Sequence, residues 1–159
     1  MLDVVTRGLG STSEYATSVV RLFSGYADSV IWFSSPVAYE HTRLEHDLVV
    51  DLRSWDATYY AGLTSDYEWR SPDAAARYFR AGARLARRVA EQIGDDFQVQ
   101  YDQGDTHRRV RAAGRARNEQ AASAFHEMAE HAIAEWARIR EVVERAERKR
   151  DTLYWSAGP

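Results

Sequence analysis

The 159-residue chain contains 45% hydrophobic and 12% aromatic residues, so it can bury a substantial core and is not an intrinsically disordered protein. It has no Cys, which excludes a disulfide framework, a thiolate nucleophile and a Cys-based zinc site. Its net charge of −3 is uneven: residues 1–69 carry four Arg against ten acidic residues, residues 70–117 eleven Arg against six, and residues 118–159 six basic residues against eight.

The N-terminal third predicts a first helix followed by ambiguous segments. Ser11 and Glu14 form a capping box, and helical spacing continues through Val30 until Ser34-Ser35-Pro36 ends it. Residues 29–33 could instead form a strand, and residues 36–46 could form a short helix that begins at Pro36.

Residues 47–53 and 56–63 are rich in strand-forming residues and flank a short polar turn, so we predict a β-hairpin there. Aromatic residues gather in and after this segment. Such a cluster can anchor a protein interface, or it can supply the cross-strand pairs of an ordinary sheet. Its members are Trp55, Tyr59, Tyr60, Tyr67 and Trp69.

The clearest helix start is Ser71-Pro72-Asp73, which combines a cap, a proline at the first position and an acid in the first turn. The helix over 73–94 ends at Gly94. The spacing predicts a buried face made of Tyr78, Gly82, Leu85, Val89 and Ile93. Alternation over 97–101 then predicts a half-buried strand, which pairs across a turn with residues 107–113.

Residues 118–151 contain no Gly or Pro and predict one unbroken amphipathic helix. It would span about 51 Å, whereas a compact chain of this length is about 39 Å across. Either this helix reaches another subunit, or it lies across its own sheet with a solvated end. The apolar stripe comprises Ala121, Phe125, Met128, Ala132, Trp136, Ile139, Val143 and Ala146. We therefore predict an α+β core over 1–117, with a small antiparallel sheet packed against helices, and a long C-terminal helix with an aromatic tail over 118–159.

Arginines form a second pattern. Arg77, Arg80, Arg84 and Arg87 follow one another at spacings of 3, 4 and 3, so they line one face of the 73–94 helix. Five more lie in the following hairpin and loop: Arg108, Arg109, Arg111, Arg115 and Arg117. These side chains are either ordinary solvated charge, a surface for an acidic protein partner, or a nucleic-acid surface.

Catalytic and metal-binding patterns are weak. The His-carboxylate groups are His41/Glu45/His46 and His126/Glu127/Glu130/His131. His126 and His131 are five residues apart and diverge around a helix, whereas a zinc-protease pattern needs a spacing of four. Gly8-Leu9-Gly10-Ser11 could cradle a phosphate but lacks a third Gly. We therefore predict no enzymatic activity, no catalytic residues, no cofactor and no metal.

The order of the 73–94 helix, the 97–113 hairpin and the 118–151 helix resembles that of small neck and tail-completion proteins of tailed bacteriophages. This resemblance covers about half the chain. It implies a non-enzymatic α+β subunit that forms rings at the head–tail junction or along the tail. The Pro-x-(Asp/Asn)-Thr-Gly segment that follows the first helix in one such family is absent here.

The combined prediction is a structural subunit of a larger complex, in a virion neck or tail. The alternative is a small regulatory protein whose arginine surface binds nucleic acid or an acidic partner. Without a signal peptide or a long apolar run, we expect a cytoplasmic or virion setting, other protein subunits as partners, homo-oligomerisation or hetero-assembly, and no membrane. The candidate partner interface comprises Phe125, Met128, Trp136, Ile139, Val143, Leu153, Tyr154, Trp155, Arg77, Arg80, Arg84, Arg108, Arg109 and Arg111.

Overall fold

The structure is a computed structural model that describes residues 12–156, with only the backbone described for Asp151 and residues 153–156. The elements in chain order are α1 (Glu14–Thr17), β1 (Val19–Leu22), β2 (Ile31–Trp32), α2 (Tyr39–Thr42), α3 (His46–Gly62), α4 (Pro72–Ile93), β3 (Gln98–Gln103), β4 (Thr106–Arg111) and α5 (Glu119–Ser156). The predicted α+β class is confirmed.

The strands form one sheet in the order β2-β1-β3-β4. β1 runs antiparallel to β2 and parallel to β3, and β3 runs antiparallel to β4, so the sheet is mixed. Because successive side chains in a strand point to opposite faces, the register assigns each residue to a face. One face carries Leu22, Ile31, Tyr101 and Arg108, and the other carries Arg21, Trp32, Gln100 and Arg109.

Helices α3, α4 and the first half of α5 pack on the face that carries Leu22, and together with the sheet they enclose the core. Three fully buried phenylalanines meet edge to face at its centre. The ring centroids of Phe33 and Phe125 are 5.7 Å apart, those of Phe97 and Phe125 are 5.9 Å apart, and those of Phe33 and Phe97 are 6.1 Å apart. The long helix is therefore anchored by aromatic packing before it leaves the body of the protein.

Helix α4 confirms its predicted start, end and buried face. Ser71 Oγ accepts a hydrogen bond from the amide of Ala74 at 3.1 Å, and Pro72 is the first helical residue. The helix ends at Gly94, whose φ of 88° is readily adopted only by glycine. A side chain at Gly94 would also collide with the backbone of Ala116, since a Cβ would lie 2.8 Å from its nitrogen.

The predicted hairpin over 47–63 is wrong, because this segment is the single helix α3. Its buried residues Leu48, Leu52 and Trp55 follow at spacings of 4 and 3, so they form a helical stripe that packs on α4. Packing of this stripe overrides the strand preference of the Val, Tyr and Thr residues around it. The start of α3 is fixed by Gln92, whose side chain accepts a hydrogen bond from the amide of Glu45 at 2.9 Å.

The predicted first helix also differs. Its proposed cap at Ser11 lies outside the described residues; in the described part, α1 covers only Glu14–Thr17, with Ser13 as its cap. The chain then enters β1, whose Val19 and Val20 point to opposite faces of the sheet and are both buried. β2 confirms the alternative strand within 29–33, and α2 begins at Tyr39, later than the predicted Pro36.

The last three elements agree with the sequence. β3 and β4 form the predicted hairpin, although each is displaced by a residue or more from its predicted limits. α5 is unbroken over 38 residues, which corresponds to about 57 Å. Asn118 caps it by accepting a hydrogen bond from the amide of Ala121 at 3.1 Å.

Candidate partner interface

Four exposed arginines line the outer side of α4: Arg77, Arg80, Arg84 and Arg87. We call them the arginine ridge. Within residues 12–156, no hydrogen bond or ion pair joins a ridge arginine to another residue. Two other arginines form ion pairs that involve α4: Arg88 with Asp51 at 2.5 Å, and Arg117 with Glu91 at 3.1 Å. The ridge is therefore a row of cations whose charge the described part of the protein does not neutralise.

On one side of the ridge, a groove of about 1010 Å³ runs between α3 and α4. We call it the α3–α4 groove. Among the described residues, its lining contains five arginines and a single acid, Asp51. Trp55, Tyr78 and Leu85 supply large apolar side chains, and the remaining lining residues are small. The charged lining residues are Arg70, Arg77, Arg80, Arg84, Arg88 and Asp51, and the small ones are Ser54, Thr58, Ala61, Gly62, Ser71, Ala74 and Ala81.

The groove depends on close contact between the two helices. The rings of Trp55 and Tyr78 are stacked at 4.6 Å, and Trp55 Nε1 donates a hydrogen bond to the carbonyl of Tyr78 at 3.0 Å. Gly82 allows this approach, because a Cβ there would lie 2.8 Å from the Trp55 ring. Burial raises the pKa of Tyr78 to about 12, so its phenol stays neutral and donates to Ser24 Oγ at 2.9 Å.

On the other side of the ridge, a second cavity of about 710 Å³ separates α4 from the β3–β4 hairpin. Arg80, Arg84, Arg87 and Arg108 line it together with Phe79 and Tyr101, and no acidic residue of the described chain is among its lining residues. Arg108 thus lies across this cavity from three members of the ridge.

Arg109 and Arg111 do not join the ridge. The guanidinium of Arg109 donates to both carboxylate oxygens of Glu14, at 2.6 and 3.3 Å, and to the hydroxyl of Tyr15 at 3.2 Å. The hydrogen bond from Arg109 lowers the pKa of Glu14, and the same hydrogen bond raises the pKa of Arg109. Arg111 donates to the carbonyl of Asp95 at 2.8 Å. Alternation along β4 directs Arg109 to the face opposite Arg108, so the predicted arginine surface is divided in two.

The apolar candidates on α5 are divided as well. Phe125 is completely buried in the core, so it presents no surface to a partner, and Met128 packs against that core. Further along, Trp136 and Val143 are partly exposed, while Ile139 is 44% and Val142 64% exposed. Leu153, Tyr154 and Trp155 lie beyond the residues whose side chains the structure describes.

A groove of about 850 Å³ separates α5 from residues 34–43, and we call it the α5 groove. Met128, Trp136 and Ile139 line its helix side, and Val37 lies opposite. His41 and His131 come from the two separate histidine groups of the sequence and line this same groove. Across the described residues, no group of three or more His, Asp or Glu side chains is arranged to hold a metal ion.

Sequence reasoning missed Asp51, Arg70 and Arg88, all of which line the α3–α4 groove. Asp51 was missed because the sequence analysis placed it in a β-hairpin and not in a helix beside α4. Arg88 could have been found, since it lies four residues after Arg84 on the same helix face. In the part of the chain that the structure describes, no helix is long and apolar enough to cross a membrane.

Comparison with known proteins gave one result. The family model described as "Serratia CdiI immunity protein-like" matches residues 18–104, which is more than half of the chain. The matched segment runs from the residue before β1 to the turn after β3 and includes both α3 and α4. Searches of the curated proteins and of the solved structures gave no match.

This result overturns the functional predictions. The matching family consists of toxin-immunity proteins, so the resemblance to phage neck and tail-completion proteins is wrong. The predicted structural role in a virion is wrong for the same reason. So is the predicted alternative of a small regulatory protein. Element order misled here, since a helix, a hairpin and a long helix can be arranged alike in proteins of unrelated function. The chain belongs to the Serratia CdiI immunity protein-like family.

Proposed function

We propose that this protein is an immunity protein that binds a toxin protein and holds it inactive. The observation that carries this proposal is the family match over residues 18–104. Neutralisation requires only a tight complex, so we propose a binding protein that catalyses no reaction. Its working place is the compartment in which the toxin would otherwise act, which we propose is the cytoplasm.

The surface chemistry supports a protein partner. An interface gains specificity when charged groups on one side meet opposite charges on the other. The arginine ridge offers such groups, because its members are exposed and not neutralised within the described chain. Arginine is also among the residue types that most often carry binding energy at protein interfaces.

The experiment is coexpression with the toxin candidates encoded beside the gene. We expect this protein to restore growth to cells that produce its cognate toxin domain, and to copurify with that domain as a stable complex. A toxin from an unrelated family is the control and should neither be neutralised nor bound. If no neighbouring toxin is neutralised or bound, the proposed function is wrong.

We also propose that two copies pair along the exposed side of α5, with the seam centred near Ile139. Ile139 and Val142 are exposed there, and the charge along the helix is polarised. Residues 119–135 carry four Glu and no Lys or Arg, whereas residues 138–150 carry six basic residues against three Glu. Antiparallel pairing of two such helices would bring the acidic half of each beside the basic half of the other.

Sedimentation at micromolar concentration tests this pairing. We expect a dimer that an Ile139→Asp substitution converts to a monomer, because a carboxylate would be buried in the apolar seam. An Arg115→Asp variant, altered in the exposed loop that precedes α5 and far along the helix from Ile139, should remain dimeric. A wild-type protein that stays monomeric at all concentrations contradicts the pairing.

A further inference from the structure

We infer that the α3–α4 groove is the toxin-binding site and that its occupant is a helix of the toxin that carries acidic side chains. This inference rests on the proposed function and specifies the surface that performs it. Among the described residues, three observations support it: the charge of the groove, the shape of its floor and its position in the matched segment.

The charge of the groove demands an anionic partner. Of the described residues that line it, five are arginines and one is acidic, and that acid, Asp51, is already engaged by Arg88 at 2.5 Å. Arg77, Arg80 and Arg84 then remain without a counter-charge from the described residues. Like charges at helical spacing repel one another, so their proximity is unfavourable in the free protein. Carboxylates of a partner would relieve this repulsion and can accept two hydrogen bonds from each guanidinium.

The shape of the groove favours a helix as the occupant. The groove lies between two long helices, and much of its lining consists of Ser, Thr, Ala and Gly. Small side chains allow the backbone of a third helix to approach closely, while the edges of Trp55, Tyr78 and Leu85, which are only 6–7% exposed, form the apolar floor. Docking of an amphipathic helix into such a groove is a recurrent mode of protein recognition. Acidic residues on the flank of the bound helix would then meet the arginine ridge.

The position of the groove agrees with the family match. All of α3 and α4 lie within residues 18–104, whereas β4 and α5 lie outside. If toxin binding is the shared property of the family, the surface that performs it should lie within the shared segment. The α3–α4 groove satisfies this requirement, and the α5 groove does not, because its helix side follows residue 104.

Binding of the cognate toxin domain to an Arg77→Glu/Arg84→Glu variant tests the inference. We expect its affinity to fall by about 100-fold or more, because each lost contact would leave a toxin carboxylate facing a like charge. An Arg115→Glu/Arg117→Glu variant carries the same change in net charge away from the groove and from α5, at side chains that line neither, and should bind within about threefold of wild type. If the charge-reversed variant fails to fold, Arg77→Gln/Arg84→Gln decides the question, with an expected loss of about tenfold.

The outcomes separate the two proposals. If both groove variants bind the toxin with wild-type affinity, the α3–α4 groove is not the toxin-binding site, but the proposal that the protein binds a toxin stands. Absence of toxin binding by the wild-type chain would overturn both. A DNA duplex serves as the probe for a phosphate ligand. If the wild-type protein binds it tightly, with affinity that falls steeply between about 50 and 200 mM salt and is lost in the charge-reversed variant, the ligand is nucleic acid and the acidic helix is wrong.

Discussion

The two faces that carry arginines in this protein use them differently. On the sheet face, Arg109 is held by Glu14, Tyr15 and the glutamines of β3. On the α4 side, the arginine ridge stands beside two cavities without counter-charges from the described residues. The first group is engaged within the protein and contributes to its stability, whereas the second is available to a partner. Arginine content alone does not distinguish these roles; the distribution of acids around each guanidinium does.

The largest expected effect comes from the floor of the α3–α4 groove. Trp55 is buried, stacked on Tyr78 and hydrogen-bonded through its indole. We expect Trp55→Ala to lower the free energy of unfolding by about 3–5 kcal/mol, because the lost ring leaves a cavity between α3 and α4. Urea denaturation measures this loss. Val50→Ala on the same helix, at a side chain that is 46% exposed, should change stability by less than about 0.5 kcal/mol. Equal effects at the two positions would show that the floor is not structural.

A smaller effect should follow when the two helices are pushed apart. At Gly82 a new Cβ would lie 2.8 Å from the Trp55 ring, so we expect Gly82→Ala to cost about 1–3 kcal/mol despite the better helix propensity of alanine. Gly114→Ala is the matched control, since a Cβ there meets nothing within 4 Å. If the Gly82→Ala protein is as stable as the Gly114→Ala protein, α3 and α4 can accommodate the added methyl group without loss of packing.

The smallest stability effect should separate the two arginine groups. We expect Arg109→Gln to lower the melting temperature by about 2–4 °C, because the ion pair it loses is largely exposed. It should leave toxin affinity unchanged. Arg84→Gln should do the opposite: the melting temperature stays within about 1 °C and toxin affinity falls. Thermal unfolding and calorimetric titration measure the two quantities, and a reversed pattern would exchange the roles of the two faces.

The difference in melting temperature between wild type and the Arg109→Gln variant should depend on pH. Arg109 lowers the pKa of Glu14 below its ordinary 4.5, so the stabilisation is complete above that value and is lost as pH falls through the lowered pKa. The gap in melting temperature between wild type and Arg109→Gln should therefore narrow from neutral pH to about pH 3. A gap that is the same at both pH values would mean that the carboxylate of Glu14 is not the source of the stabilisation.

Local signals predicted part of this fold well. The cap at Ser71, the proline after it and Gly94 fixed α4, and a long stretch without Gly or Pro fixed α5. Each of these signals lies within or beside the element that it specifies. The α4 arginines were likewise found correctly on one helix face, because the 3.6-residue period was known once the helix was identified.

The errors arose where distant residues determine structure. The apolar residues of β1 and its surroundings follow one another at helical spacing. The segment is nevertheless a strand, because β3, far along the chain, pairs with it in parallel. α3 looks like two strands in composition and is a helix because Leu48, Leu52 and Trp55 pack on α4. Within the candidate interface, alternation along β4 would have been enough to predict that Arg108 and Arg109 lie on opposite faces of the sheet. Its partner Glu14 could not have been predicted, because sequence distance conceals that contact.

Amide hydrogen exchange of the protein with and without its cognate toxin tests the central claim most directly. If the toxin occupies the α3–α4 groove, exchange should slow in residues 46–62 and 72–93, most of all in the α4 segment that carries the arginine ridge. The backbone of β4 and of the far half of α5 should exchange at the same rate in both states. Protection confined to β4 or to α5, with α3 and α4 unchanged, would contradict the account.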